Sequence, residues 1–313
     1  MVDLSATLCS IPLKNPLTVS SGPLTFAAEG IRRAFDSGAA AAVTKTISLE
    51  PAVNPVPHIA IIGRGSLLNT EKWADLPAEQ WIERELPALE DADGVVIASV
   101  GHHRADVEAL AAPLVGAGAD MLEVVSYDAA DMVPLVEAAK AQVKVPVLAK
   151  LSPNWPDLYD CAAECLAKGA DGLTAIDSLG PTLAIDVQTG RPLLDGYAWL
   201  SGTAIKPLTV RIVADLCQRH PGVPIVATGG VSRAEDVVEM LMVGAAAVGV
   251  HTAPLLRGLG WFARTESSLA RWLDQHDYTA LADMRGVALP HLPGEERTEP
   301  LEFVFEPEIC TEC

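Results

Sequence analysis

The chain has 313 residues, half of them apolar, and its 22 basic and 41 acidic side chains give a formal net charge of −19. That composition excludes a disordered polymer and supplies enough apolar surface for a large core. An acidic surface with no lysine or arginine cluster repels phosphate backbones and anionic headgroups, so neither nucleic acid nor a membrane is expected as a partner.

The opening Met1-Val2-Asp3-Leu4-Ser5 lacks the basic stretch and apolar run of a secretory signal, and no window reaches the length of a membrane helix. A cytoplasmic location is therefore expected. Six cysteines in so long a chain do not make a disulfide scaffold; Cys9, Cys161, Cys165 and Cys217 read as reduced, mostly buried thiols. The length admits one large barrel or two smaller domains, since α/β barrels reach about 250 residues as one unit. Two domains would need a linker, and the sequence has none.

From about residue 15 one rhythm repeats: a short β-branched run, a turn, then a stretch with apolar positions three and four apart. Strands are predicted at 17–20, 41–45, 95–99, 121–125, 145–151, 172–176, 225–228 and 246–250, and helices at 27–36, 104–115, 131–141, 158–167, 205–218 and 234–241. Gly116, Gly169 and Gly244 follow helical stretches, as helix C-termini prefer. Eight strands alternating with helices predict an α/β fold, a (β/α)₈ TIM barrel preceded by an N-terminal hairpin. A doubly wound sheet is the alternative, but no Gly-x-Gly-x-x-Gly follows a first strand. The predicted barrel spans 1–290, and 291–313 form a tail. Two connections, 47–76 and 178–202, are longer than the rest and leave the rim where barrel active sites lie, so they are expected to wall or cover the site.

Val226-Ala227-Thr228-Gly229-Gly230-Val231-Ser232 follows the seventh strand, and Val248-Gly249-Val250-His251-Thr252-Ala253 spans the eighth and its turn. Glycine-freed amides in these two turns, next to a helix N-terminus, make a phosphate site. A merely tight turn is the other reading of Gly229-Gly230.

Several segments then carry a resemblance together: Asn15-Pro16-Leu17-Thr18-Val19-Ser20-Ser21-Gly22, Val43-Thr44-Lys45-Thr46, Ala149-Lys150-Leu151-Ser152-Pro153-Asn154, Ser201-Gly202-Thr203-Ala204-Ile205-Lys206-Pro207 and Ala227-Thr228-Gly229-Gly230. In this order, from about residue 8 to 255, the chain resembles the FMN barrel of the dihydroorotate dehydrogenases, and more nearly the flavin domain of dihydropyrimidine dehydrogenase. The resemblance implies FMN and hydride transfer between flavin N5 and a small polar substrate. It implies that Ser20, Ser21 and Gly22 lie along the flavin, with Lys45, Thr46 and Asn69 near ring and substrate and Lys150 at the pyrimidine edge. There a fixed cation lowers the cost of the negative charge gained on reduction. Ser201, Gly202 and Thr228 complete the cradle, and Gly229, Gly230, His251 and Thr252 hold the phosphate, although the family more often has a small residue at the position of His251.

The departures bear on the chemistry. The family's fourth strand continues into Asn-x-Ser-Cys-Pro-Asn and a long loop carrying a Cys or Ser base, whereas this chain reads Glu123-Val124-Val125-Ser126-Tyr127-Asp128-Ala129 and enters a helix at once. A base must reach the proton it removes, so that step does not transfer. Ser126, Tyr127 and Asp128 are the local substitutes, Asp128 being equally suited to cap a helix. In the substrate clamp Asn69 is kept, Val125 removes one asparagine and Asp177 replaces another. An ionised Asp177 only accepts hydrogen bonds, which suits an amine-bearing substrate rather than a simple pyrimidine. Asp177 and Asn69 are counted with both substrate and cofactor contacts. Trp199 either narrows the pocket or packs as a wall residue.

His102 and His103 follow the third strand and are either a proton-handling pair or a solvated helix start; two ligands do not make a metal site. Cys161 and Cys165, four apart, read as buried small hydrophobes. No metal is expected, although the ending Cys310-Thr311-Glu312-Cys313 resembles the opening of a ferredoxin-type motif. Half an iron–sulfur ligand set is left as a relic, a pair completed by another subunit, or a metal-free tail. The resemblance further suggests a homodimer and an electron-transfer partner subunit. Two alternatives remain: an FMN-binding electron-transfer subunit that has lost its catalytic loop, and a phosphate-binding barrel without flavin.

Overall fold

The computed structural model describes residues 2–294, so Cys310 and Cys313 lie outside the described residues. Eight parallel strands close into a barrel. In chain order they are β1 (Leu17–Val19), β2 (Ala41–Val43), β3 (Val95–Val100), β4 (Met121–Val124), β5 (Val147–Leu151), β6 (Gly172–Ala175), β7 (Ile225–Thr228) and β8 (Ala247–Val250). Each pairs with its sequence neighbours, and β8 returns to β1 through Val248 against Leu17. Runs such as Ala41-Ala42-Val43 are buried along their whole length, as strands covered on both faces must be.

Helices form the outer ring: α1 (Ala28–Asp36), α2 (Arg104–Gly116), α3 (Ala129–Lys140), α4 (Leu158–Ala167), α5 (Lys206–Arg219) and α6 (Ala234–Met242), with α7 (Thr252–Arg257) and α8 (Trp261–Gln275) after β8. The α3 helix begins two residues before its predicted start because the Asp128 side chain accepts from Ala130 N–H at 3.1 Å, fixing the first turn. The α8 helix, with no strand following it, falls outside the strand–helix rhythm and was not anticipated.

The barrel's two ends differ. At the N-terminal end the hairpin Ala6–Leu8 and Ile11–Leu13 inserts Leu8 and Leu13 among Ile97, Met121, Leu148 and Val226, closing the bottom with apolar side chains. Each such side chain, fully buried, contributes about 1.5–3 kcal/mol. At the C-terminal end the barrel stays open.

The two long connections are built together. Ile59–Ile62 and Ser66–Asn69 come from the first, Leu179–Thr182 and Ala198–Gly202 from the second, and the four strands form one antiparallel sheet. The seam pairs Asn69 with Trp199 and Leu67 with Ser201, and Leu68, Leu194 and Ala198 pack beneath it. This sheet is the wall predicted over the rim.

Candidate active site

A cavity of about 690 Å³ opens at the C-terminal ends of the strands, beneath the insertion sheet. That volume lies within the range of cofactor and ligand pockets, about 300–1,000 Å³. Of the predicted site residues within the described chain, all line it except Asp128 and His103.

On one side β1, β7 and β8 supply small residues and free backbone. The Ser20 hydroxyl lies 2.8 Å from that of Thr228, and Thr252 donates to Ser201 at 3.0 Å. Gly229 and Gly230 sit at φ of +116° and +91°. Neither N–H has a hydrogen-bond acceptor among the described residues. A side chain at Gly230 would run into the Lys206 backbone, so the turn depends on glycine.

His251 occupies this side in a different role from a phosphate cation. Its Nδ1–H donates to the Ser20 carbonyl at 2.8 Å, and its Nε2 faces Leu24 N–H at 3.5 Å. Burial pulls its pKa down to about 4, against the opposing pull of the Ser20 contact, so the ring is neutral. It therefore acts as a spacer: a Cβ at Gly22 would sit 2.7 Å from the ring.

On the other side β2 to β6 present charged and aromatic groups. Lys45, only 4% exposed, is ion-paired with Glu71 from the insertion, and His58 Nε2 is 3.9 Å from the same carboxylate. Asn69 donates to the Trp199 carbonyl at 3.2 Å and accepts from Glu71 N–H at 3.3 Å, so its amide ties the two insertions together at the cavity edge. Lys150 Nζ is 3.2 Å from Asp177 Oδ1, which also accepts from Ser178 N–H at 2.9 Å. Burial alone would pull Lys150 down, but Asp177 and Glu123 outweigh it and hold the ammonium above its ordinary value. Asp177 thus already has a cation.

Below the floor Glu123 points into the barrel, 1% exposed, where one oxygen accepts from Thr174 at 2.8 Å and the other has no partner. Burial raises its pKa, with Lys150 opposing.

His102 stacks on Tyr127 with ring centroids 4.0 Å apart and planes 6° from parallel, while Trp73 closes from the side at 5.5 Å. His102 is 7% exposed, lines the cavity, and has no hydrogen-bond partner on either ring nitrogen. Burial lowers its pKa to about 4, with Asp177 and Asp106 pulling the other way and Lys150 and His103 adding to the fall. Burial likewise pushes the Tyr127 phenol up to about 12, so it stays protonated. The Ser126 hydroxyl accepts from Asp128 N–H at 3.1 Å. Asp128 stands outside the lining and caps α3, which removes it from the proton-handling candidates.

The chain matches the dihydroorotate dehydrogenase family over residues 3–273. It is 33% identical to the catalytic subunit of dihydroorotate dehydrogenase B (NAD(+)) from Methanothermobacter thermautotrophicus, across 91% of this chain and 98% of that protein. Against its counterpart in Geobacillus kaustophilus identity is 35%, over 80% and 84% respectively. It is also 31% identical to the NAD-dependent dihydropyrimidine dehydrogenase subunit PreA of Escherichia coli K12, over 91% of this chain and 77% of that one. The chain belongs to the dihydroorotate dehydrogenase family.

As a member of that family it is an FMN-dependent oxidoreductase. The residues present fit the cofactor: unpartnered Gly229 and Gly230 amides suit a phosphate, the small residues of β1 leave room for a flat ring, and Lys150 faces the same space. Other family features are absent. Only Val125, Ser126, Tyr127 and Asp128 separate β4 from α3, with no space for a base-bearing loop. Among the described residues there is no group of three or more metal-ligating side chains, and no helix is long and apolar enough to cross a membrane.

Sequence reasoning did not anticipate Glu71, Trp73 or Asn154. Asn154 accepts from Gly180 N–H at 2.8 Å and donates to the Ser178 carbonyl, anchoring the second insertion. The signal available for Glu71 was its position two residues after Asn69. For Glu123 it was a charge inside an apolar strand run.

Proposed function

We propose that the chain moves a hydride between a carbon of a small polar substrate and flavin N5, and that the substrate is not dihydroorotate itself. The observation that carries this reading is the altered substrate side of the cavity. There Val125 and an ion-paired Asp177 stand where amides would grip a pyrimidine, beside Lys45 and Asn69.

FMN, when bound, supplies the two-electron acceptor or donor. The amides of Gly229 and Gly230 and the hydroxyl of Thr252 hold its phosphate, Ser20, Ser21, Gly22, Thr46, Ser201, Gly202 and Thr228 shape its bed, and Lys150 offsets charge gained on reduction. Lys45, ion-paired with Glu71, orients the substrate. A ring nitrogen of His102 takes the proton released from the atom next to the hydride-bearing carbon, in place of the missing loop base. Its lack of other partners supports that role, and Asp177 and Asp106 oppose the burial that weakens it as a base. Tyr127 and Trp73 hold the imidazole against the cavity.

The reading also takes the protein as a cytoplasmic homodimer, with the barrel over 1–290, a tail over 291–313 and a separate electron-transfer partner subunit. The word "subunit" in the relatives' names supports a partner.

The test is anaerobic mixing of FMN-loaded protein with L-dihydroorotate, with dihydrouracil, and with a panel of other small saturated polar carbonyl compounds, following flavin bleaching. The expected result is bleaching by a panel compound and none by dihydroorotate within many turnover times. Rapid bleaching by dihydroorotate would overturn the substrate assignment. Bleaching by none of them, with reoxidation of dithionite-reduced protein accelerated only by a partner protein, would replace dehydrogenation by electron transfer.

A further inference from the structure

Three lysines line the cavity: Lys45, Lys72 and Lys150. Lys45 is committed to Glu71 on the substrate side. Lys150 rises from β5 with its side chain 12% exposed, and its nearest carboxylate is fixed in place: Asp177 Oδ1 is held by Ser178 N–H at 2.9 Å and meets Lys150 Nζ at 3.2 Å. Glu123 lies on the barrel side of the same lysine, one oxygen unpartnered. The strongest cation available to a flavin in this cavity is therefore already matched by a protein anion, on the turn that follows β6. An amide at position 177 would remove the hydrogen-bonded carboxylate beside the lysine and leave only Glu123.

We propose that Asp177 sets the reduction potential of the bound flavin through Lys150, its carboxylate neutralising part of the lysine's field so that the flavin is harder to reduce than with an amide at that position. The inference rests on the FMN reading and concerns a positioning residue, since Asp177 acts on the flavin by way of the lysine. Two-electron reduction takes two electrons from the donor with a proton from solvent and leaves negative charge on the ring system. That charge is stabilised by whatever positive field Lys150 retains. A carboxylate about 3 Å from the ammonium cancels much of that field at the distances that matter inside a site of low effective dielectric. The consequence is a flavin tuned to give up electrons readily.

The experiment measures potentials, which need no knowledge of the substrate. Wild type, Asp177→Asn, Asp177→Glu, Lys150→Met and the double variant Asp177→Asn/Lys150→Met are loaded with FMN and reduced slowly by xanthine and xanthine oxidase beside an indicator dye. Asp177→Asn is expected to favour the reduced flavin by about tenfold, which for two electrons is about 30 mV upward. Asp177→Glu is expected to restore most of the wild-type value, and Lys150→Met to lower it. In the Lys150→Met background the Asp177→Asn shift is expected to shrink to a small fraction, as coupled groups require.

An unchanged or lowered potential in Asp177→Asn overturns the proposal. So does a full-sized shift in the double variant, because the carboxylate would then act on the flavin directly. Should Asp177→Asn fail to fold, Asp177→Ser makes the same comparison. FMN content of the wild type is measured first: a protein that cannot be loaded fails at the FMN reading, whereas a loaded protein with no shift fails only here.

Discussion

The two sides of the cavity solve different problems with different materials. The side formed by β1, β7 and β8 is made of glycines, serines and backbone, with one histidine packed neutral as a spacer. The side formed by β2 to β6 and the insertions is made of ion pairs and stacked rings. On the first side the glycines leave little room: a side chain at Gly22 would meet the His251 ring, and one at Gly230 the Lys206 backbone. On the second side charge and hydrogen bonding decide the chemistry, and these groups can be exchanged while the barrel stays intact. That asymmetry is consistent with a chain that keeps its family's fold while its fourth strand runs into α3 with only Val125 to Asp128 between them.

The sharpest way to break the comparison is to remove the proton-handling group and leave the cradle untouched. His102→Gln keeps a planar polar side chain, so FMN content and flavin spectrum are expected to match wild type. Bleaching by the substrate found in the screen is expected to slow by about 10²–10⁴-fold, the usual contribution of a positioned acid–base group. A rate within a few-fold of wild type would return the role to Ser126 or to solvent. On the opposite side, Gly230→Ala is expected to reverse the pattern. The new Cβ meets the Lys206 backbone at a left-handed φ of +91°, a strain of about 1–3 kcal/mol. FMN retention should fall, while any molecules still loaded keep their bleaching rate. Counting FMN per chain after gel filtration checks it.

Both sides contain a histidine held neutral, and here they are expected to behave alike. His102 and His251 have pKa values near 4 in the fold, depressed by burial, against about 6.5 in an unfolded chain. Between those values the unfolded chain binds more protons, so stability is complete above about pH 7 and falls as pH drops from 6.5 towards 4. Each histidine contributes up to about 1.4 kcal/mol per pH unit in that window. Urea midpoints at pH 7, 5.5 and 4.5 measure the slope, and His251→Gln and His102→Gln should each reduce it. An unchanged slope in either variant would mean that its ring is hydrated in solution.

How far the sequence reveals each part follows from the range of the forces involved. All eight strands are legible because burial on both faces leaves an apolar run that needs no partner to be recognised. The α4 helix is bounded at the predicted 158–167, where a glycine ends it at Gly169. The glycine turn after β7 was legible for a similar reason, since positive φ demands glycine at Gly229 and Gly230 themselves. What was not legible is pairing across long separations. Nothing around residue 69 says that it will lie in register with Trp199, 130 positions away, nor that Glu71 will be brought onto Lys45. His102 and His103 look equivalent in sequence. The end of β3 turns the first into the cavity and leaves the second at the N-terminus of α2, where its N–H is capped by Asp106 at 2.9 Å. The predicted freedom of Asp177 to bind an amine also depended on ignoring Lys150, one strand away.

The smallest expected effect tests the stack that holds the imidazole. Tyr127→Phe keeps the ring that lies 4.0 Å from His102 and removes only the hydroxyl, which burial keeps protonated up to about pH 12 and which therefore cannot serve as a base. If the ring's role is to fix His102, the bleaching rate should stay within about threefold of wild type, under ~0.7 kcal/mol in the barrier. Its pH profile should be unchanged as well. Tyr127→Ala, which removes the stack, should cost more than Tyr127→Phe while leaving FMN content alone. A loss in Tyr127→Phe as large as that in His102→Gln would mean that the phenol, and not the imidazole, carries the proton. The division of labour on this side of the cavity would then have to be redrawn around β4, the position from which the family's own base is missing.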